Sequence, residues 1–253
     1  MRLATAVLFV TLCSGGIAQE QSLFNAKDLT GWDGKLDCWR VEDSALTCES
    51  TEAKPCKNCH YLFWKGSQPA DFELSVDFRI SRNANSGIQF RSQILPEWDT
   101  YGYQADMTGD GGYVGFIYYQ KGGIHEFLAK RGEKARFAPE GSREEDQVAR
   151  SKGKTPPPAF TPAGKREVET LGEPKELLKG FKVEDWNTYR IVCRGHEITL
   201  YLNGVMMSQA VDQFPPRVVP NGFIALQMHP GHEPIKIQFK NIILKEQPQE
   251  TKP

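Results

Sequence analysis

The sequence predicts an all-β protein, an antiparallel sandwich or barrel, on three observations. Phe72, Leu74, Val76, Phe78 and Ile80 alternate with Glu73, Ser75, Asp77 and Arg79, the period of a half-buried strand. Similar short runs recur at 61–64, 87–91, 113–119, 186–193, 197–202, 222–227 and 235–244, and many short strands at regular spacing fit a sandwich or barrel. Arg194-Gly195-His196 and Asn203-Gly204 supply turn chemistry between neighbouring runs. No internal repeat appears at blade or solenoid periods.

The chain starts with a segment that does not belong to this pattern. Arg2 precedes the apolar run Leu3 to Leu12, and Gly16-Ile17-Ala18 places small residues before Gln19. This is the layout of a secretory signal peptide cleaved near Ala18, so residues 1–18 are set aside and export to the periplasm or exterior is expected. Cys13 raises lipid anchoring, but Leu12 is too large for the position before such a cysteine. No other apolar stretch approaches the length of a membrane span. The 253 residues carry 31 Lys+Arg against 32 Asp+Glu. That balance argues against nucleic-acid or anionic-membrane binding through a net positive field and is compatible with a neutral ligand.

Five cysteines follow Ala18, in a compartment that permits disulfides. Cys38 and Cys48 flank a segment centred on Asp43 in the polar turn Glu42-Asp43-Ser44. A hairpin folded there would set the two opposite each other, so a Cys38–Cys48 disulfide is expected. Cys56-Lys-Asn-Cys59-His60 has the form of a c-type haem attachment site. Strand-like sequence follows it and no helix nearby offers an axial ligand, so haem is disfavoured and a local Cys56/Cys59 disulfide or thiol pair is preferred. Cys193 alternates with Tyr189 and Ile191 and reads as a buried small hydrophobe.

From Lys130 to about Gly180 the chain is charged and Pro-rich, with only 174–179 resembling a helical turn. A connection this long is either a functional lid or a solvated insertion. The expected organisation is a signal peptide (1–18), one β-sandwich domain (19–246) with an insertion at about 133–180, and a disordered tail (247–253).

A set of short motifs runs in order through the remainder: Ser22-Leu-Phe-Asn-Ala-Lys-Asp-Leu-Thr-Gly-Trp32, Asn85-Ser-Gly-Ile-Gln-Phe-Arg91, Tyr103-Gln-Ala-Asp106, Leu128-Ala-Lys-Arg-Gly132, Asp185-Trp-Asn-Thr-Tyr189, Leu202-Asn-Gly204, Leu226-Gln-Met-His229 and Phe239-Lys-Asn-Ile242. Together with Phe72-Glu-Leu and Phe78-Arg79, the series resembles the 3-keto-disaccharide hydrolase domain family. The resemblance implies a concanavalin A-like lectin/glucanase jelly roll with a sugar site on a concave sheet face. It also implies action on glycosides already oxidised at C3.

A 3-keto group acidifies the C2 proton. A base removes it, the enolate expels the C1 aglycone, and water adds to the unsaturated sugar, which requires a base, a donor or metal at the enolate oxygen, and an acid for the leaving group. His229 is the candidate base because imidazole titrates near neutrality, and Asp106 is its carboxylate rival. Tyr118 is the candidate proton donor or stacking ring. Arg91, Gln104, Arg131 and Gln227 would bind sugar or carbonyl oxygens, and Trp98, Tyr101 and Tyr103 would stack on sugar rings.

Each of these has a plainer role open to it, as turn, salt-bridge or packing residue. Asp106-x-Thr108-x-Asp110-Gly111 matches part of an EF-hand loop but has Ile117 where a bidentate Glu is needed. Calcium or another divalent ion on loop oxygens stays open, with its ligands undefined. His229-Pro-Gly-His232 is a pair on a turn with no helix to aim it. Ser86 lies outside a nucleophile elbow. Two function classes follow: a glycoside-cleaving enzyme for 3-keto sugars, and a non-catalytic carbohydrate-binding module using the same face.

Overall fold

Along Phe72–Ile80 every second side chain is buried and the intervening ones are half-buried, as the apolar alternation requires when one face of a strand meets a core. The computed structural model describes residues 20–121, 124–137, 166–215, 217–231 and 234–247. The signal-peptide segment, the centre of the charged stretch, His232 and the extreme C-terminus lie outside the described residues.

Two sheets stack around one core. The larger runs, in spatial order, β12 (Arg166–Thr170), β11 (Glu133–Phe137), β15 (Val205–Asp212), β14 (Glu197–Leu202), β13 (Asn187–Arg194), β6 (Phe72–Ile80), β17 (Ile235–Glu246), β4 (Ala45–Ser50) and β3 (Trp39–Glu42), with β1 (Glu20–Ser22) also pairing on β17. The smaller runs β10 (Ile124–Ala129), β9 (Phe116–Lys121), β8 (Thr100–Thr108), β7 (Asn85–Ile94), β16 (Phe223–Met228), β5 (His60–Trp64) and β2 (Trp32–Gly34). Pairing among the described strands is antiparallel except between β11 and β15. This is the predicted sandwich, of jelly-roll type. Its core interleaves aromatic rings from both layers, among them Phe78 and Tyr189 at 4.9 Å and Tyr103 and Tyr119 at 5.3 Å.

The charged stretch is more ordered at its ends than its composition suggests. Glu133–Phe137 and Arg166–Thr170 pair with each other, and the former adds to β15, so both extend the larger sheet. Within Glu133–Phe137, Ala135 and Phe137 are buried at alternate positions, a strand signal hidden by the flanking charges. The short helix α1 (Pro174–Leu177) falls where the helical turn was expected.

The expected Cys38–Cys48 disulfide is not formed. Asp43 and Ser44 both adopt positive φ, 51° and 57°, so the hairpin turns on two residues and Glu42 pairs with Ala45. The register therefore sets Cys48 opposite Trp39 rather than Cys38. A shift of one residue along a strand moves a side chain to the other face. Cys38 ends a 3-10 turn (Leu36–Cys38) and is bonded to Cys56 instead, across a sequence separation of 18. Cys48 is buried with a free thiol pushed upward by desolvation. The pairing also replaces the local Cys56/Cys59 link, and Cys56 retains no thiol for haem attachment while the disulfide stands. Cys193 is fully buried, as expected.

Closing a loop of this length restricts the unfolded chain. Cys56→Ser is accordingly expected to lower stability by about 3 kcal/mol, and urea unfolding with and without reductant measures it. Reductant should shift the wild-type midpoint toward that of the variant and leave the variant unmoved.

Candidate active site

The site is built by cross-strand register on the outer face of the smaller sheet. Gln89 on β7 lies opposite Gln104 on β8, Gln104 opposite Tyr118 on β9, and Tyr118 opposite Phe127 on β10. One row of side chains thus crosses four strands. One pairing step away along β8, Asp106 lies between Gly87 and Phe116. Inward-facing Tyr103, Ala105 and Met107 occupy the alternate positions in the core.

A cavity of about 290 Å³ opens over this row, near the lower end of small-molecule sites at roughly 300–1,000 Å³. It is lined by Asp106, Gln104, Tyr118, Gln227 and His229, which were picked out from sequence. It is also lined by Cys59, Asn85, Tyr113, Gln120, His125 and Phe127, none of which the sequence marks as a sugar-site residue. The described lining contains no lysine or arginine, and Asp106 is its one carboxylate.

Asp106 is held by a directed chain. Ser92 Oγ donates to Gln89 Oε1 (2.8 Å), Gln89 Nε2 to Gln104 Oε1 (2.8 Å), and Gln104 Nε2 to Asp106 Oδ1 (3.1 Å). The Met107 amide donates to the same Oδ1 at 3.0 Å, which leaves Oδ2 as the oxygen without a donor among the described residues. From the opposite layer, Tyr189 donates its hydroxyl to the Asp106 carbonyl (2.7 Å) and accepts from the Gly115 amide (2.6 Å). This fixes the backbone beneath the site. Asp106 is 5% exposed, and desolvation pushes its carboxyl up to about 7 against the two hydrogen bonds that favour the charged form.

The other side chains are oriented as firmly. His229 Nδ1 lies 2.7 Å from the Pro230 carbonyl. A carbonyl only accepts, so Nδ1 carries the proton and Nε2 of the neutral ring has its lone pair free. The Tyr118 hydroxyl is hydrogen-bonded with His125 Nδ1. Desolvation and the Asp106 charge raise the Tyr118 phenol, which keeps it protonated. Gln227 Nε2 donates to the Tyr61 hydroxyl (2.9 Å), whereas its buried Oε1 has no partner among the described residues. Tyr113, Phe116, Phe127 and Tyr118 form an aromatic wall with ring centroids 5.3 to 5.7 Å apart.

Gly87 is required by this arrangement. A Cβ built there would lie 2.2 Å from Gln104 Cδ, inside the space that lets the Gln104 amide lean toward Asp106. Gly87→Ala is therefore expected to displace Gln104 and cut turnover by ~10–100-fold. It should also raise the pH at which Asp106 ionises, because a donor to the carboxylate is lost; a pH–rate profile of the folded variant measures both.

Other residues picked out from sequence lie outside the cavity. Alternation from Gln89 would point Arg91 into it, but β7 bulges after Phe90 and Arg91 takes φ 45°. Its guanidinium instead binds the carbonyls of Ala70 and Gly195 and the carboxylate of Asp71. Arg131 donates to the carbonyls of Gly111 (2.9 Å), Val114 (2.7 Å) and Pro174 (3.0 Å), so it positions the loop carrying Tyr113. Tyr103 is 2% exposed and donates to Asp212 Oδ2 at 3.1 Å within the core, where no ligand can stack on it. Trp98 packs on Phe63 at 6.1 Å in an apolar patch that includes Cys59, beside the cavity, and Tyr101 packs half-buried against the main core. The EF-hand-like stretch is divided: Thr108 and the Gly112 amide donate to Asp110 (2.6 and 2.8 Å) in a local turn, while Asp106 is held by Gln104 and Met107.

Known structures share this architecture. A candidate glycosyl hydrolase from Parabacteroides distasonis ATCC 8503 superposes with a TM-score of 0.51 at 18% identity, covering 90% of this chain and 99% of that one. The carbohydrate-binding module CBM66 from Bacillus subtilis gives 0.51 at 13% identity over 85% and 96%. A Bacillus subtilis protein of unknown function with a galectin-like fold gives 0.54 at 10% over 92% and 97%. At these identities the likeness is one of fold. No curated protein gives a significant match. The sequence model of the 3-keto-alpha-glucoside-1,2-lyase-like domain matches residues 19–245, nearly the whole described chain, and the protein belongs to that family.

Proposed function

We propose that this is an exported enzyme that cleaves 3-keto-glycosides by removing the C2 proton, with Asp106 as the base. The observation that carries the reading is a buried carboxylate, solitary among the described lining residues, whose ionisation lies near pH 7 on the floor of a cavity whose described lining holds no lysine or arginine. Two-carboxylate glycosidase chemistry needs a second acid across the scissile bond, and none lines the described cavity. A carboxylate freed of its hydration is a stronger base toward carbon than one in water, and its ionisation near neutrality suits proton transfer at working pH.

In this reading Asp106 Oδ2 takes the C2 proton and the electron pair moves into the C3 carbonyl. The resulting enolate expels the aglycone, breaking the C1–O bond. Tyr118, kept protonated and hydrogen-bonded with His125, donates to the departing oxygen. His229 Nε2 accepts a proton from the water that then adds at C1, Asp106 returns its proton to C2 of the enolate so formed, and the proton taken by His229 replaces the one Tyr118 gave to the aglycone. Gln104 and Gln227 orient the sugar through their amides, and the aromatic wall of Tyr113 and Phe127 faces the aglycone.

The test incubates the protein with a 3-keto-glucoside and its parent glucoside, with and without chelator, and follows aglycone release against pH. Release from the keto sugar alone is expected. Its kcat/KM should rise with pH and level off above about 7 as Asp106 ionises. Binding of both sugars without cleavage of either would make the protein a carbohydrate-binding module.

A further inference from the structure

The motif Cys56-Lys-Asn-Cys59-His60 is divided by the fold. Cys59 and Tyr61 face the cavity side, Cys59 lining the cavity and Tyr61 bonding Gln227. Cys56 and His60 instead meet Cys38. We infer that Cys38, Cys56 and His60 form a thiolate–imidazole site for zinc, available when the Cys38–Cys56 bond is reduced.

Three segments converge there: the 3-10 turn ending at Cys38, the loop holding Cys56, and the first residue of β5. One ligand atom from each, both sulfurs and a ring nitrogen, lies within 4.8 Å of the others. Ligands around a tetrahedral zinc sit about 3.5 Å apart, given metal–ligand bonds of roughly 2.0–2.3 Å, so small adjustments after the S–S bond opens suffice. Two thiolates and an imidazole are a zinc-selective donor set, and three protein ligands leave a fourth position for water.

The imidazole is prepared for the role. His60 Nδ1 is buried and has no hydrogen-bond partner among the described residues. A buried nitrogen left unpaired otherwise has no account in the fold.

The chemistry balances with a dithiol as reductant. It delivers two electrons and two protons to the sulfurs and closes to its own disulfide; zinc then displaces both thiol protons to solvent as two Zn–S bonds form. Disulfide and metal are alternative occupants of the same place, and either one staples β5 behind the cavity.

The test uses the full chain, reduced with a phosphine and titrated anaerobically with cobalt(II), then zinc(II). The reduced protein is expected to bind one cobalt with sulfur-to-metal charge-transfer absorption that zinc abolishes, and the oxidised protein to show none. His60→Ala should weaken cobalt binding ~10-fold or more, and Cys59→Ser should leave it unchanged. If His60→Ala fails to fold by far-ultraviolet dichroism, His60→Gln and Cys56→Ser carry the same expectation. The inference is overturned if the reduced protein shows no charge-transfer band, if a folded His60 variant binds cobalt as tightly as wild type, or if Cys59→Ser abolishes binding.

Discussion

Asp106→Asn should lose ~10²–10⁴-fold in turnover of a 3-keto-glucoside and yet gain stability above pH 7. The loss follows from removing the base while keeping shape and the acceptor on Oδ1. The gain follows from linkage. Asp106 ionises at about 7 in the folded protein against 3.8 for an unperturbed side chain, so between those values the folded state holds more protons than the unfolded one. Stability therefore falls as pH rises from about 4 to about 7 and stays at the lower level above. Below pH 4 the acid is neutral in both states and the contribution disappears. Asparagine is neutral throughout, so the variant should exceed wild type at pH 8 by up to ~4 kcal/mol and converge with it near pH 4. Denaturation midpoints at the two pH values, beside steady-state rates, check both halves. Opposite signs for activity and stability are the mark of a functional rather than a structural carboxylate.

The second large effect lies away from the chemistry. Arg217 is fully buried, with its guanidinium on Asp212 (3.1 Å) and Glu126 (3.1 Å). The rings of Phe137 and Phe214 lie 4.5 and 4.6 Å from it. Tyr103 adds its hydroxyl to Asp212. The cluster ties β10, which carries His125 and Phe127 of the cavity wall, to β15 in the other layer. Arg217→Met leaves two buried carboxylates without their cation and is expected to cost about 3–5 kcal/mol. In a domain of this size that lowers the thermal midpoint by roughly 10 °C. Replacing Asp212 and Glu126 with apolar residues in the same background should recover most of the loss, because the cost lies in the stranded charges. Thermal unfolding of the single and triple variants distinguishes this from simple loss of packing.

The sequence was informative wherever a periodic strand set a side chain's direction. Gln104, Asp106 and Gln227 face the cavity because their neighbours Ala105, Met107, Leu226 and Met228 fill the core. Arg91 lies away from the cavity that alternation points it toward because alternation holds only until a bulge, and no residue type announces the positive φ that turns it away. Cys38 paired elsewhere because a two-residue turn shifts a hairpin register by one relative to a turn centred on a single residue. Phe127 and His125 are hidden in the sequence because Ile124–Ala129 does not carry a clean strand pattern. The apolar alternation of Ile124 and Leu128 in its sequence is interrupted by Glu126, whose partner Arg217 comes from a proline-flanked loop with no periodic signal. Buried charge at an inward strand position was the available clue, at Glu126 beside Leu128 and at Asp212 beside Ala210. The cavity itself is a product of register across β7 to β10, which no single segment encodes.

The central claim is that the cavity breaks a C2–H bond with Asp106 as the base. The most direct measurement is single-turnover release of the aglycone from a 3-keto-glucoside carrying hydrogen or deuterium at C2, with the parent glucoside alongside. Release is expected from the keto sugar only, slower for the deuterated substrate, and lost with Asp106→Asn. Release from the parent at the same rate, with no difference between the C2 isotopologues, would contradict it.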